Sequence, residues 1–138
     1  MFTLSSRNVI PVNGGDVFHF LKASDPEFKS FGEAYFSKVE PGFVKGWKRH
    51  TKMHMNLICI SGSVLFVFYD CNQPITQQKP TEVILSSENN QLLSVPPSPW
   101  FAFKGLGDST SILCNISSIV HDENEVVRAS ISSFPPIL

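Results

Sequence analysis

Short apolar stretches separated by turn-forming residues occupy the chain from residue 57 onward. They are rich in β-branched and aromatic side chains, which favour strands. The stretches cover residues 57–60, 64–70, 82–85, 91–95, 100–106 and 111–117. Turn formers separate them, including Ser61-Gly62-Ser63 and the proline-rich stretch 96–99. This pattern predicts an all-β fold.

The stretch 64–69 is apolar on both faces of the strand that it predicts. One face carries Val64, Phe66 and Phe68, and the other carries Leu65, Val67 and Tyr69. A strand buried on both faces is typical of a sandwich or small barrel. We therefore expect the second face of this strand either to be covered by a partner subunit or to line a ligand cavity.

Length predicts a single domain over residues 1–138. A chain of 138 residues buries roughly two thirds of its unfolded surface in one core. The segment 1–32 is less regular, and residues 16–22 fit either a strand or a short helix. Residues 129–138 include Phe134-Pro135-Pro136 and are predicted to form an extended C-terminal arm.

Charge and hydropathy exclude several classes of function. The chain has 11 Lys+Arg and 12 Asp+Glu, a net charge of -1, and therefore lacks the basic excess that drives nucleic-acid binding. No apolar run approaches the roughly 18 residues that a membrane span needs. The first 15 residues lack the basic segment and apolar core of a secretory signal. We predict a cytoplasmic protein that binds neither nucleic acid nor a membrane.

The segment Lys45 to His50 carries the candidate chemistry. If it is extended, Lys48 and His50 project to one side, and Trp47 and Arg49 project to the other. One face then offers a titratable pair. The alternative is a solvated edge strand, since edge strands commonly carry charge.

Several motifs in order give the chain a recognisable pattern. They are the KGWxxH segment 45–50, the PPxxW segment 96–100, Asn115 and the acidic segment 121–125. Together they resemble the dTDP-4-dehydrorhamnose 3,5-epimerase family of RmlC-like cupins over about residues 33–128. The resemblance implies a double-stranded β-helix, or jelly roll, which is usually a homodimer and in which the inner face of one sheet forms a sugar-nucleotide pocket. It also implies a role in making deoxysugars for bacterial surface polysaccharides such as O-antigen, without a cofactor.

The chain departs from this family at the positions that carry the reaction. Lys48 stands where the epimerases have the histidine that removes the α-proton. The tyrosine acid of the epimerases falls near Ile119 and Val120, and His121 lies beside them. The metal-ligand positions of related oxygenases hold Lys48, His50, Met55 and Phe101, only one of which is a suitable donor. We therefore predict that no metal is bound.

The candidate site residues follow from the resemblance and from the chemistry of each side chain. His50 is the candidate base, and Lys48 would stabilise the enolate oxygen or, with a strongly lowered pKa, act as the base itself. His121 or Tyr69 would return a proton. The candidates for substrate binding are Lys45 and Arg49 for the diphosphate, Trp100 for stacking and Asn115 for hydrogen bonding.

Two functions remain open on the sequence. The first is an enzyme that epimerises or isomerises a dTDP-linked 4-keto-6-deoxyhexose. The second is a non-catalytic cupin that binds sugar nucleotides and has lost the epimerase base and acid. The retained polar residues favour the enzyme, and the substitutions favour the binding protein.

Overall fold

The computed structural model of the chain describes residues 1–138. The strands are β1 (Thr3–Ser6), β2 (Val9–Ile10), β3 (Val17–Phe18), β4 (Glu33–Val39), β5 (Val44–His50), β6 (Met55–Ser61), β7 (Ser63–Tyr69), β8 (Thr81–Ser86), β9 (Gln91–Val95), β10 (Trp100–Gly105), β11 (Ser111–Ser117) and β12 (Val126–Arg128). Single turns of 3₁₀ helix span Ile75–Gln77, Glu123–Glu125 and Ile131–Ser133. None of these helical turns has the length or the apolar composition of a membrane-spanning helix.

Two antiparallel sheets of five strands pack face to face. The first sheet has the order β1-β9-β6-β11-β4, and the second has the order β12-β5-β10-β7-β8. Apolar side chains of both sheets form one core between them, which includes Leu57, Phe66, Leu93 and Leu113. This arrangement confirms the predicted all-β jelly roll.

All six apolar stretches that predicted strands lie in strands β6 to β11. Part of the less regular N-terminal segment also forms strands. Strand β1 extends the first sheet beside β9, and Val17 and Phe18 form a short strand paired with β2. Of the two alternatives for residues 16–22, the structure shows a strand, which is two residues long and is followed by a loop.

The outer face of the second sheet is covered by the chain itself. Trp47, Leu65, Val67, Tyr69, Ala102 and Phe134 form a second buried apolar cluster there. The ring of Phe134 from the C-terminal arm stacks on Trp47 at 4.1 Å between centroids. The expectation that a partner subunit or a ligand cavity covers this face of the 64–69 strand is wrong, because the arm already fills it.

A one-residue irregularity in β5 changes which side chains face the core. Phe101 pairs with Lys48 and Phe103 pairs with Lys45, so two residues of β10 match three of β5. Gly46 lies in this bulge with a φ of +145°, and an added Cβ there would lie 2.5 Å from the Cβ of Ala102. The bulge therefore requires a residue without a side chain, and it places Lys45 on the same face as Lys48.

Candidate functional site

A cavity of about 330 Å³ opens between the edges of the two sheets. Strand β4 supplies one wall, and strands β5, β10 and β12 supply the other. Its lining residues are Ser37, Lys45, Gly46, Trp47, Lys48, Phe103, Arg128 and Ala129. Lys45, Lys48 and Arg128 give it three cationic groups and no acidic lining residue, so the cavity suits an anionic ligand.

His50 and Glu125 form a buried pair next to Lys48, which lines this cavity two residues earlier on the same face of β5. The Nδ1 atom of His50 lies 2.6 Å from Oε1 of Glu125, and the two side chains are 6% and 1% exposed. The other carboxylate oxygen accepts the backbone N–H groups of Thr51 at 2.9 Å and Lys52 at 3.1 Å. Glu125 is held in place because β12, which follows it, pairs with β5 along Arg49 and His50.

The protonation states of this pair follow from its surroundings. Burial lowers the pKa of His50 more than the hydrogen bond to Glu125 raises it. Burial alone would raise the pKa of Glu125. The hydrogen bonds from His50 and from the backbone of Lys52 and Thr51 outweigh this effect, so the pKa of Glu125 is lowered overall. At neutral pH the pair is therefore a carboxylate and a neutral imidazole whose Nδ1–H donates to Glu125.

The second nitrogen of the same imidazole is available for chemistry. Nε2 of His50 is buried and has no hydrogen-bond partner. With the proton held on Nδ1, this nitrogen carries a lone pair that can accept a proton from a ligand. A buried polar atom without a partner costs about 1–3 kcal/mol, so a hydrogen-bonding group placed at this nitrogen would be stabilised.

Lys48 lies on the same face of β5 as His50. Its Nζ atom is 5.7 Å from the centre of the Phe101 ring, and the His50 ring lies 6.0 Å from the same ring. Burial, followed by the charges of Arg128 and Lys45, lowers the pKa of Lys48. This is the direction that a Lys48 base would need, although lysine starts about four units above histidine.

Asn115 and Tyr35 form a hydrogen-bonded pair on the first sheet. Nδ2 of Asn115 donates to the hydroxyl oxygen of Tyr35 at 2.9 Å, and Oδ1 of Asn115 is buried without a partner. Burial raises the pKa of Tyr35, so the phenol stays protonated at neutral pH. Ser37 is two residues further along the same strand and lines the cavity, which places Tyr35 on the cavity side of β4.

His121 lies at the rim and not inside the cavity. Its side chain is 51% exposed, and Nε2 lies 2.8 Å from Oε1 of Glu123. The same carboxylate oxygen accepts a hydrogen bond from Arg128 at 2.7 Å. His121 is therefore connected to the cavity lining only through Glu123 and Arg128.

Tyr69, Trp100 and Arg49 are on the opposite side of the second sheet. Tyr69 is 3% exposed and lies 5.4 Å from Trp47, ring to ring, in the cluster under the C-terminal arm. The guanidinium of Arg49 sits 5.8 Å above the ring of Trp100. The structure thus places Lys45 and Lys48 in the cavity lining, His50 on the same face of β5, and Asn115 beside Tyr35 on the first sheet, whereas these three candidates face the other way.

Sequence reasoning gave no role to three residues of the site. Glu125 lies 75 residues along the chain from His50 and Arg128 follows it in β12, whereas Tyr35 lies in β4, the strand before β5. Glu125 lay inside an acidic segment that the resemblance singled out, but nothing in that segment distinguished it from Glu123. Only the pairing of β12 with β5 shows that Glu125 meets His50.

The histidine next nearest in sequence to His50 takes no part in the site. The strand β5 ends at His50, so His54 lies in the turn before β6 and not on a continuous strand. Its Nε2 atom lies 2.7 Å from Oγ of Ser94. No group of three or more His, Cys, Asp or Glu side chains is placed to hold a metal ion. The absence of a metal stays a prediction.

Comparisons with families and curated proteins agree on the kind of protein. The family model described as "FdtA: WxcM-like, C-terminal" matches residues 15–134. The chain is 29% identical over 100 residues to a probable low-salt glycan biosynthesis epimerase, Agl13, of Haloferax volcanii. That match covers 71% of this chain and 61% of the relative, so the chain spans about three fifths of the relative's length.

Solved structures show the same fold. A dTDP sugar isomerase from Desulfovibrio desulfuricans G20 is 37% identical, with a TM-score of 0.84 over 94% of this chain and 83% of that protein. A dTDP-4-dehydrorhamnose 3,5-epimerase from Sulfolobus tokodaii is 19% identical, with a TM-score of 0.83 over 99% and 81%. The second similarity concerns the fold alone, and together they confirm the RmlC-like cupin architecture.

Proposed function

The chain belongs to the family described as FdtA, WxcM-like, C-terminal, and on that premise we propose that it epimerises or isomerises a dTDP-linked 4-keto-6-deoxyhexose. The observation that carries the proposal is the buried lone pair on Nε2 of His50, on the same face of β5 as Lys48, which lines a cationic cavity. The relatives support it, since one is a dTDP sugar isomerase and another a probable glycan biosynthesis epimerase.

His50 is the base in this proposal. A hydrogen on the carbon next to the keto group is weakly acidic, and a neutral imidazole held by a carboxylate is suited to remove it. Glu125 is a positioning residue, because it fixes the Nδ1–H tautomer and stabilises the imidazolium that forms. The pair is buried, so water does not compete for the free nitrogen.

Lys48 stabilises the enolate. When the proton leaves the carbon, negative charge develops on the former carbonyl oxygen, and a fixed ammonium group lowers the energy of that state. Phe101 lies near both Lys48 and His50, so one strand face presents the cation and the base together. Burial lowers the pKa of both Lys48 and His50, and the ordinary pKa of lysine lies about four units above that of histidine, so Lys48 is assigned the role of the cation and His50 the role of the base.

The fate of the proton distinguishes the two reactions. In epimerisation, a proton returns to the same carbon from the other face. In isomerisation, the proton of the neighbouring hydroxyl passes to the enolate oxygen, so that the old hydroxyl becomes the carbonyl, and a proton is delivered to the former carbonyl carbon. We assign the return of the proton to Tyr35, because it faces the cavity from the first sheet and stays protonated. Tyr69 is on the wrong side of the second sheet for this step, and His121 is at the rim.

The diphosphate occupies the mouth of the cavity in this proposal. Lys45 and Arg128 are the two cations nearest solvent that line it, and Arg forms forked hydrogen bonds with phosphate oxygens. Glu123 holds the Arg128 guanidinium at 2.7 Å, which fixes its direction. Arg49, the sequence candidate for this contact, faces away from the cavity.

A non-catalytic sugar-nucleotide binding protein is the second candidate. The observation that favours it is Lys48 at the position where the epimerases have their catalytic histidine. The same conclusion is favoured by Ile119 and Val120, which stand where the epimerases have their tyrosine acid. In that case the cavity would bind a dTDP-sugar without exchanging its hydrogens.

Hydrogen exchange separates the two candidates. The protein is incubated with dTDP-4-keto-6-deoxyglucose in deuterated water, and NMR follows deuterium at C3 and C5 for epimerisation and at C4 for isomerisation. The enzyme incorporates deuterium, whereas His50→Ala slows incorporation by about 10²–10⁴-fold and keeps its affinity for the nucleotide. His54→Ala is the matched control, because His54 lies outside the cavity, and it should behave as wild type.

Binding without exchange across a panel of 4-keto substrates would establish the binding protein. An equal loss of deuterium exchange in His50→Ala and His54→Ala would contradict the assignment of His50 as the base.

A homodimer is the last part of the proposal, supported by the apolar side chains exposed on the first sheet. The role in O-antigen synthesis and the cytoplasmic location stay predictions.

A further inference from the structure

Asn115 is a buried amide on the inner face of the first sheet. It lies on β11, level with Tyr35 on β4 and with Leu57 on β6, and it is 2% exposed. Leu113, two residues earlier on β11, packs in the core between the sheets, so Asn115 faces the same way. The amide therefore lies among apolar neighbours, where each of its polar atoms needs a partner.

The two polar atoms of this amide differ in what they contact. Nδ2 donates a hydrogen bond to the hydroxyl oxygen of Tyr35 at 2.9 Å, whereas Oδ1 is buried without a partner. A phenol oxygen has lone pairs that accept hydrogen bonds and one proton that it can donate. Because Asn115 offers a donor and occupies a lone pair, the proton of Tyr35 does not point at Nδ2 and stays free for a ligand.

The loss of a proton from Tyr35 would leave a phenolate beside Asn115. Hydrogen bonds to an ionised group are stronger than those between neutral groups, so Nδ2 holds the phenolate more tightly than the phenol. The same relation exists on the second sheet, where Glu125 lies 2.6 Å from the ring of His50 and stabilises the imidazolium. Each side chain that becomes charged in the proposed reaction thus has a buried partner of the complementary kind.

We propose that Asn115 is a positioning residue, whose side-chain N–H keeps the proton of Tyr35 free for the sugar and stabilises the phenolate that remains. In the step it supports, the O–H bond of Tyr35 breaks, and the proton bonds to the sugar carbon with the electron pair of the enolate. Tyr35 then regains a proton from water. This inference rests on the proposed function, which assigns the return of the proton to Tyr35.

The surroundings of Tyr35 set its acidity. Burial raises the pKa of Tyr35, the hydrogen bond from Asn115 lowers it by less, and the charge of Glu33 raises it by a still smaller amount. Removal of the amide N–H should therefore raise the pKa of Tyr35 further and make it a weaker acid. Tyr69, the only other tyrosine of the chain, is buried in the cluster under the C-terminal arm and should not respond.

The first test measures the pKa of Tyr35 directly and needs no substrate. The full chain is labelled with 3-fluorotyrosine, a stronger acid than tyrosine, and ¹⁹F NMR follows the titration of two resonances that Tyr35→Phe assigns. Asn115→Leu should raise the pKa at Tyr35 and leave that of Tyr69 unchanged. An unchanged pKa at Tyr35 overturns the proposal. A lowered pKa also overturns it, because the amide oxygen would then accept the phenol proton.

Asn56→Leu is the matched control for the loss of a buried asparagine. Asn56 is 3% exposed, its Nδ2 donates to the backbone oxygen of Glu27 at 3.0 Å, and its Oδ1 also lacks a partner. Its neighbour Leu57 packs in the core, so Asn56 faces the outer side of the sheet. Asn56→Leu should leave the pKa of Tyr35 at the wild-type value, and an equal shift in both variants contradicts a specific role of Asn115.

The second test follows product formation from dTDP-4-keto-6-deoxyglucose. Asn115→Leu should lower kcat by about 10–100-fold, the factor for a lost hydrogen bond to a charged group. KM should stay unchanged, because the contact acts on Tyr35 and not on the substrate, and Asn56→Leu should react as wild type. Full activity in Asn115→Leu refutes only the role of Asn115. A wild type that forms no product, with the pKa at Tyr35 still raised in Asn115→Leu, refutes only the enzyme.

Discussion

The two faces of strand β5 differ in how many of their side chains already have packing or hydrogen-bond partners within the chain. On the inner face, Lys48 lines a cavity, and His50, two residues further on, has a ring nitrogen without a partner. On the outer face, Trp47 is stacked under Phe134, and Arg49 rests on Trp100. The inner face retains unmet hydrogen-bonding capacity that a ligand can use. The side chains of the outer face are already packed against other parts of the chain and stabilise the fold.

This difference separates function from stability across a single strand. Because alternate residues point to opposite faces, neighbours such as Trp47 and Lys48 have unrelated roles. The C-terminal segment connects the two faces. It supplies Glu125 to the inner face and Phe134 to the outer face, on either side of β12.

The largest expected effect comes from the outer face. Trp47→Ala removes a 2% exposed indole and should lower the free energy of unfolding by about 3–5 kcal/mol. Urea denaturation measures the loss, with Phe43→Ala as a control whose side chain is exposed and should cost less than about 0.5 kcal/mol. Similar values for both variants would mean that the aromatic cluster does not stabilise the fold.

Substitutions on the inner face should lower the rate of deuterium exchange and leave the free energy of unfolding nearly unchanged. Lys48→Ala removes the cation assigned to the enolate and should slow deuterium exchange by about 10²–10³-fold. Lys79→Ala, an exposed lysine in a loop, is the control and should exchange at the wild-type rate. If Lys48→Ala retained full exchange, the enolate would have to be stabilised by another group.

Two arginines on opposite faces allow a direct test of ligand contact. Arg128→Ala should weaken dTDP binding by about tenfold, equivalent to about 1.4 kcal/mol, because Arg128 lines the cavity. Arg49→Ala should leave the affinity unchanged, because Arg49 lies on Trp100. Calorimetric titration with dTDP measures both. A larger loss in Arg49→Ala would place the diphosphate on the outer face.

The smallest effect is a shift of the pH profile. Exchange requires neutral His50, whose pKa burial lowers, so the rate should fall only as the pH drops below the usual histidine value of about 6.5. Glu125 raises the pKa of His50, so Glu125→Gln should move this acidic limb to lower pH. His54→Gln should keep the wild-type profile. An acidic limb that moves to higher pH in Glu125→Gln would show that the carboxylate does not act through His50.

Much of the fold was predictable from local pattern. The six stretches between residues 57 and 117 became strands because their apolar side chains recur between turn formers. Alternation along β5 also placed Lys48 and His50 opposite Trp47 and Arg49, as the structure shows. The motifs that resemble the epimerase family pointed to the same jelly roll.

The sequence by itself determined the strands, the alternation along β5 and the family, because these depend on residues close together in the chain. Only the tertiary structure decided which side chains share the site. The bulge at Gly46 turned Lys45 to the inner face, which strict alternation excludes. Glu125 meets His50 because β12 pairs with β5, and Phe134 covers Tyr69 because the arm folds back over the second sheet. Such contacts arise from pairing between distant segments, and a period of two residues carries no information about them.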